Sequence, residues 1–172
     1  ILTASHNPGG PSEDFGIKYN CENGGPAPEK LTNAIYKNTT TITQIKMCAE
    51  CPDVDPSVLG ETVIEARDGS RRVSVEVVDG VAAHVDLLRT VFDLGAIKAL
   101  LDRPDFSICF DAMHGVTGPY AKALFCDVLG QPASCLINAV PKDDFGGHHA
   151  DPNLTYAVDL TKKMGVDRLG QP

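Results

Sequence analysis

The stretch FSICFDAMHGVTGPYAKALFCDVLGQPASCLINAV, residues 106–140, decides the fold class. Phe106 to Asp111 is a short apolar run and reads as a buried strand. Gly115 to Gly118 read as a loop, and Pro119 suits the opening of a helix. That helix carries Tyr120, Leu124, Phe125, Val128 and Leu129, and Gly130 closes it as C-terminal glycines do. Ala133 to Val140 is a second strand candidate. Strand, helix and strand in that order predict a βαβ unit and a sheet that is at least partly parallel.

Working outward, a polar loop, PKDDFGGHHADPNL, follows this unit and leads to a helix from about Thr155 to Met164. On the other side, Val81, Val85, Leu88 and Phe92 recur at helical spacing and make one apolar stripe. Before Asp79-Gly80 the period is two: Val73, Val75 and Val77 alternate with Ser74 and Glu76, and Asp68-Gly69 is a hairpin signal. This change of period predicts a boundary near residue 80, dividing the chain into domains 1–80 and 81–172. Nearer the start, Gly16 to Asn20 is a short strand candidate, and Asn23-Gly24-Gly25-Pro26 is a turn cluster. Pro28 and Glu29 suit the first turn of a helix that Thr39-Thr40-Thr41 weakens at its end. The class is α/β with mixed sheets.

The chain has 172 residues, 42% hydrophobic and 22% charged, which is ordinary globular composition and room for one domain or two small ones. A net charge of −8 leaves no electrostatic footprint for nucleic acid or an anionic membrane. It permits an anionic substrate, held by local cations, helix N-termini or a metal ion. No apolar run reaches the ~20 residues of a membrane span. The opening Ile1-Leu2-Thr3 reads as the end of a strand, so the chain is expected to be a fragment. The six cysteines do not have the spacing of a disulfide framework. Cys48-Ala-Glu-Cys51 is a lone CxxC without the second ligand pair of a zinc site. Cys109, Cys126 and Cys135 lie among apolar residues and read as buried free thiols, which favours the cytoplasm.

The chemistry-bearing stretch is TASHNPGGPSEDFGIKYN, Thr3 to Asn20. Pro8, Gly9 and Gly10 keep the backbone out of regular structure, and glycines let amide groups approach an anion. The Ser5 hydroxyl on such a loop could carry a phosphoryl group or act as a nucleophile. His6 and Lys18 are nearby candidates for proton handling or charge neutralisation. Spacing alone leaves an ordinary surface turn equally open. There is no G-x-S-x-G elbow.

This stretch, followed by NGGPAPE, closely resembles the active-site segment of the eukaryotic-type α-D-phosphoglucomutases. The resemblance continues through DAMHGVTGPY from Asp111 and DFGGHHADPNLTYA from Asp144, and covers essentially Ile1 to Leu160. Phosphomannomutases share the Ser-His-Asn-Pro core, but NPGGP and NGGPAPE look like the phosphoglucomutase branch. The resemblance implies that Ser5 is the serine phosphorylated in the resting enzyme. Its phosphoryl group would pass to glucose 1-phosphate, giving glucose 1,6-bisphosphate, and the other phosphate would return to leave glucose 6-phosphate. It also implies Mg²⁺ with Ser5 phosphate as one ligand, Lys18 beside the phosphoserine, His6 as a catalytic neighbour, and Asn7 as a loop brace. Hexose phosphates are the implied partners, and the full-length protein is implied to be a cytoplasmic monomer.

Other features read as structural. His148-His149 sits in a loop where adjacent side chains point apart, and Ala150 stands where the family commonly has proline. Asp143-Asp144 reads as a solvated pair. Ligands gather at the C-terminal ends of strands in α/β sheets, yet helix entry alone explains Gly115 to Pro119. The family's metal loop, Asp-Gly-Asp-Gly-Asp-Arg, is expected after DPNLTYAVDL, but the tail reads TKKMGVDRLGQP, with only a faint echo in Val166-Asp167-Arg168. The expectation is an active-site part of a phosphoglucomutase that has no turnover by itself. The alternative is a non-catalytic phosphoprotein or interaction module of the same ancestry.

Overall fold

The computed structural model describes residues 1–47, 51–66, 68–167 and 169–171. Cys48 of the CxxC pair and Arg168 of Val166-Asp167-Arg168 lie outside the described residues. The chain divides into two compact units, Cys21–Gly80 and a larger one made of Ile1–Asn20 with Val81–Pro172. Gly80, where the hydrophobic period changes, is one limit of the smaller unit. The other limit, at Asn20, has no counterpart in the pattern. The serine loop belongs to the larger unit, together with the βαβ segment.

In the smaller unit, helix α1 (Glu29–Thr39) follows Pro28, which sits at the N-cap with extended backbone, one position earlier than expected. Glu29 in the first turn and Lys37 in the last both complement the helix dipole. The hydroxyls of Thr39, Thr40 and Thr41 donate to the carbonyls of Tyr36, Lys37 and Asn38 at 2.7, 2.8 and 3.1 Å. Such back-bonding competes with regular helix, and α1 stops at Thr39. Strands β1 (Gly60–Glu65) and β2 (Arg72–Val77) form the expected hairpin, antiparallel from Gly60 opposite Val77 to Glu65 opposite Arg72. Gly69 takes φ +68° in the turn, and Asp68 Oδ1 accepts from the Ser70 amide at 2.9 Å.

The larger unit holds helix α2 (Gly80–Val91), helix α3 (Leu94–Leu101), strand β3 (Phe110–Asp111), helix α4 (Thr117–Ala121), strand β4 (Leu136–Ile137) and helix α5 (Val158–Met164). Asp93 caps α3 by accepting from the Ala96 amide at 3.0 Å. Helix α4 runs on into a π-helical segment, Lys122–Val128, and Gly130 at φ +71° ends it. The wider turn accompanies a Phe110–Phe125 ring contact at 5.6 Å across strand and helix. Tyr120 of α4 meets His84 of α2 edge to face at 5.3 Å. The core is built from Val85, Leu101, Ala121, Leu129 and Cys135, with Leu129 only 2% exposed.

The β3–β4 pair is parallel, as the βαβ reading requires, with Phe110 opposite Leu136 and Asp111 opposite Ile137. Both strands are shorter than the apolar runs suggested. Ala133–Cys135 closes as a 3₁₀ turn, with the Cys135 amide bonded to the Pro132 carbonyl at 2.9 Å. At the other end Asn138 turns left-handed at φ +50°. Only Leu136 and Ile137 remain extended for β3 to pair with. The run Gly16–Asn20 likewise forms no extended strand and keeps only isolated bridges, among them the antiparallel bridge of Ile17 with Leu2. Helix α5 starts later than Thr155 because the Asn153 side-chain carbonyl accepts from the amides of Thr155 and Tyr156 at 2.9 and 3.3 Å, making a turn first.

Gly118 marks the tightest approach in this unit. A Cβ there would lie 1.9 Å from the Ala139 carbonyl oxygen, which is backbone and cannot rotate away. Gly118→Ala is therefore expected to lower unfolding free energy by about 1–3 kcal/mol or more, read as a lower urea midpoint at unchanged m. A chemical probe gives a second check. Burial, then the neighbouring Cys126 and Cys109 thiols, push the Cys135 thiol above its ordinary value, whereas Cys51 is exposed. At neutral pH Cys135 stays a thiol, so iodoacetamide should modify Cys51 well before Cys135 in mass-mapped time courses.

Candidate active site

The serine loop is tied at its base by backbone bonds. The Thr3 amide donates to Gly16 O at 2.8 Å, and the Lys18 amide to Ile1 O at 2.8 Å. Gly16 has to be small, since a Cβ there would lie 2.4 Å from Thr3 O. Within the loop, Asn7 Nδ2 donates to Asp14 Oδ2 at 3.0 Å, and the Asp14 amide to Pro8 O at 3.3 Å. Asn7 thus braces the loop across its width.

Ser5 sits at the tip of a tight turn closed by the Asn7 amide on Ala4 O at 3.3 Å. Its φ is +65°, a left-handed conformation that costs an L-residue roughly 1–2 kcal/mol. The Ser5 amide donates to Thr3 Oγ1 at 3.0 Å, which helps hold the turn. Ser5 and His6 are exposed. Lys18 is exposed at the base of the loop, one residue beyond the Ile17 bridge. Among the described residues, no hydrogen bond or ion pair joins the side chains of Ser5, His6 and Lys18.

Ser5 and Thr3 line a cavity of about 430 Å³ together with Phe110, Asp111, Gly115 and Phe145. The cavity lies at the C-terminal end of β3 and the entry to α4, the position where open α/β sheets receive ligands. No local pattern marks residues 3–5 and 110–117 as facing one space. A second cavity, about 210 Å³, shares Asp111, Met113 and Phe145 and adds His114, Asn138 and His149. There the Asn138 amide donates to Asp111 Oδ1 at 3.1 Å and to Asp159 Oδ2 at 3.0 Å. Asp111 Oδ1 also accepts from the Met113 amide at 2.9 Å. His114 Nδ1 lies 2.8 Å from Val140 O, and a carbonyl only accepts, so Nδ1 carries the proton.

His149 stacks on Tyr156 with centroids 4.1 Å apart, and its buried Nδ1 has no partner among the described residues. Its neighbour His148 is exposed. Asp144 Oδ1 accepts from the Gly146 amide at 2.8 Å, and both Asp143 and Asp144 are exposed. Among the described residues, no group of three or more His, Cys, Asp or Glu is arranged to hold a metal.

Among the described residues, five non-glycine residues have positive φ: Ser5, Met113, His114, Asn138 and Phe145. All five line one or both cavities. Strain of this kind persists where surrounding contacts over-determine it, and it concentrates at functional sites. The strain at Ser5 can be separated from its hydroxyl. Ser5→Gly and Ser5→Ala both delete the oxygen, but only glycine accepts φ +65° freely. Ser5→Gly should therefore be the more stable by about 1 kcal/mol in paired urea titrations.

The family description "Phosphoglucomutase/phosphomannomutase, alpha/beta/alpha domain I" matches residues 1–46. The cytoplasmic phosphoglucomutase of Bromus inermis is 55% identical over 168 residues, which is 98% of this chain and 29% of that protein. The cytoplasmic phosphoglucomutase of Pisum sativum is 53% identical over 98% of this chain and 28% of its own length. A crystal structure of exocytosis-sensitive phosphoprotein pp63/parafusin (phosphoglucomutase) from Paramecium, in an open form, superposes with a TM-score of 0.84 at 44% identity. It covers 94% of this chain and 29% of that one. The chain thus spans under a third of the length of these relatives. In sequence and in fold, this chain is similar to the phosphoglucomutases over the part of them that it spans.

Proposed function

We propose that this chain carries the phosphoryl-bearing loop of a phosphoglucomutase that interconverts glucose 1-phosphate and glucose 6-phosphate. The observation that carries the reading is Ser5, held left-handed and exposed on the rim of the cavity at the end of β3. A loop set this way presents one oxygen to a ligand and keeps its backbone out of the way.

Phosphoserine at position 5 is the donor. As the sugar hydroxyl oxygen bonds to phosphorus, the bond from phosphorus to Ser5 Oγ breaks, and the proton lost by the sugar hydroxyl ends on Ser5 Oγ, which departs as a neutral hydroxyl. The product is glucose 1,6-bisphosphate, and transfer of its other phosphate back to Ser5 completes the reaction. A phosphoserine brings roughly −1.5 to −2 charge, so the transferring group needs nearby cations and in-line geometry. Lys18 is the cation this chain's loop supplies, to stabilise the phosphoryl group or move the hydroxyl proton, and His6 is its catalytic neighbour. Magnesium supplies charge neutralisation in the family reading, with an oxygen of the Ser5 phosphate as one ligand. Hexose phosphates are the substrates, glucose 1,6-bisphosphate the activator, and the cytoplasm, named for the plant relatives, the compartment.

The test is mass mapping of the protein at its natural length, followed by a coupled glucose 6-phosphate assay. One phosphate on Ser5, turnover lost in Ser5→Ala, and kcat lowered about 10²–10⁴-fold in Lys18→Met are expected. The 172 residues alone should give no turnover. Unmodified Ser5 with full activity in Ser5→Ala would falsify the reading.

A further inference from the structure

The serine loop does not hold its height by its own bonds alone. Gly9, four residues after Ser5, lies flat against a turn more than a hundred residues away in sequence. A Cβ at position 9 would lie 2.8 Å from Phe145 Cε2, 3.1 Å from Phe145 Cδ2 and 2.9 Å from the Asp143 carbonyl oxygen. Only a residue without a side chain can approach so closely.

The turn that meets Gly9 is itself fixed. The Phe145 amide donates to Lys142 O at 3.1 Å, the Gly147 amide to Asp144 O at 2.9 Å, and the Lys142 amide to His114 O at 2.9 Å. The last of these bonds ties the turn to the segment that follows β3. Phe145 has φ +52°, an uncommon conformation for a bulky residue, and its ring lines both cavities. The ring therefore touches the back of the serine loop while forming a wall of the space that Ser5 faces.

We propose that Phe145 is a positioning residue for Ser5, acting through Gly9 to set where the serine hydroxyl stands at its cavity. This rests on the reading of Ser5 as the phosphoryl carrier. Phe145 reaches no transferring atom. It sets the distance and line of attack, and phosphoryl transfer is sensitive to both.

The experiment uses the protein at its natural length, assayed with glucose 1-phosphate and catalytic glucose 1,6-bisphosphate. Phe145→Ala and Phe145→Gly both remove the ring, but only glycine relieves the positive φ. The two should lose kcat alike, by about 10–100-fold at little-changed KM, while Phe145→Gly unfolds at higher urea. Phe145→Leu should restore part of the rate. Gly9→Ala should slow transfer as well. Gly9→Ala with Phe145→Ala should lose less than the product of the two single effects, because the new methyl enters space the ring has left. Wild-type kcat in Phe145→Ala, or effects that simply multiply, would overturn the positioning role while leaving the function reading standing. A wild-type protein with neither phosphate on Ser5 nor turnover would overturn both.

Discussion

Two register pairs, Phe110 with Leu136 and Asp111 with Ile137, are what the larger unit depends on. Because the pair is parallel, both strands end on the same side. The segments that leave them, 112–117 and 138–145, are therefore delivered to one place. The ladder continues for one more step through the Ala112 amide on Ile137 O at 3.1 Å and the His114 amide on Asn138 O at 2.9 Å. Then Met113, His114 and Asn138 turn left-handed, and the space between the diverging segments becomes the two cavities. Asn138 secures the divergence by spanning Asp111 and Asp159, which joins the ends of β3 and β4 to the first turn of α5.

The serine loop is added to this platform as a separately braced piece. Its base is an antiparallel bridge, its width is set by Asn7 on Asp14, and its back rests on the Asp143–Phe145 turn. The bridge at the base and the contact at the back involve groups with no freedom to spare: glycines with no room for a Cβ, and backbone carbonyls. That arrangement suits a loop that must keep the exposed Ser5 hydroxyl in place. Left-handed backbone at Ser5 is tolerable there because the neighbouring bonds over-determine it.

How much of this was legible in the sequence differs by element. The hairpin was readable because alternating valines and an Asp-Gly turn are local signals that two adjacent strands satisfy by themselves. The parallel pair was readable in kind but not in length. The strand ends are set by Pro132 starting a 3₁₀ turn and by Asn138 turning left-handed, and apolar runs carry no mark of either. The start of α5 was misplaced for a similar reason, since Asn153 spends its side chain on a turn that competes with helix.

By itself the sequence determined the class of fold and the resemblance to the phosphoglucomutases, because Ser5, its glycines and the motifs around Asp111 and Asp144 are contiguous strings. It placed Ser5 and Lys18 on one loop for the same reason. Only the tertiary structure decided that Ser5 shares a cavity with Asp111 and Gly115, that Gly9 rests on Phe145, and that every strained non-glycine residue among those described lines one or both of two cavities that share Asp111, Met113 and Phe145. Those facts join positions far apart in the chain, and they follow from the parallel pairing and from close approaches that permit no side chain. Local pattern cannot encode a contact whose partner lies more than a hundred residues away.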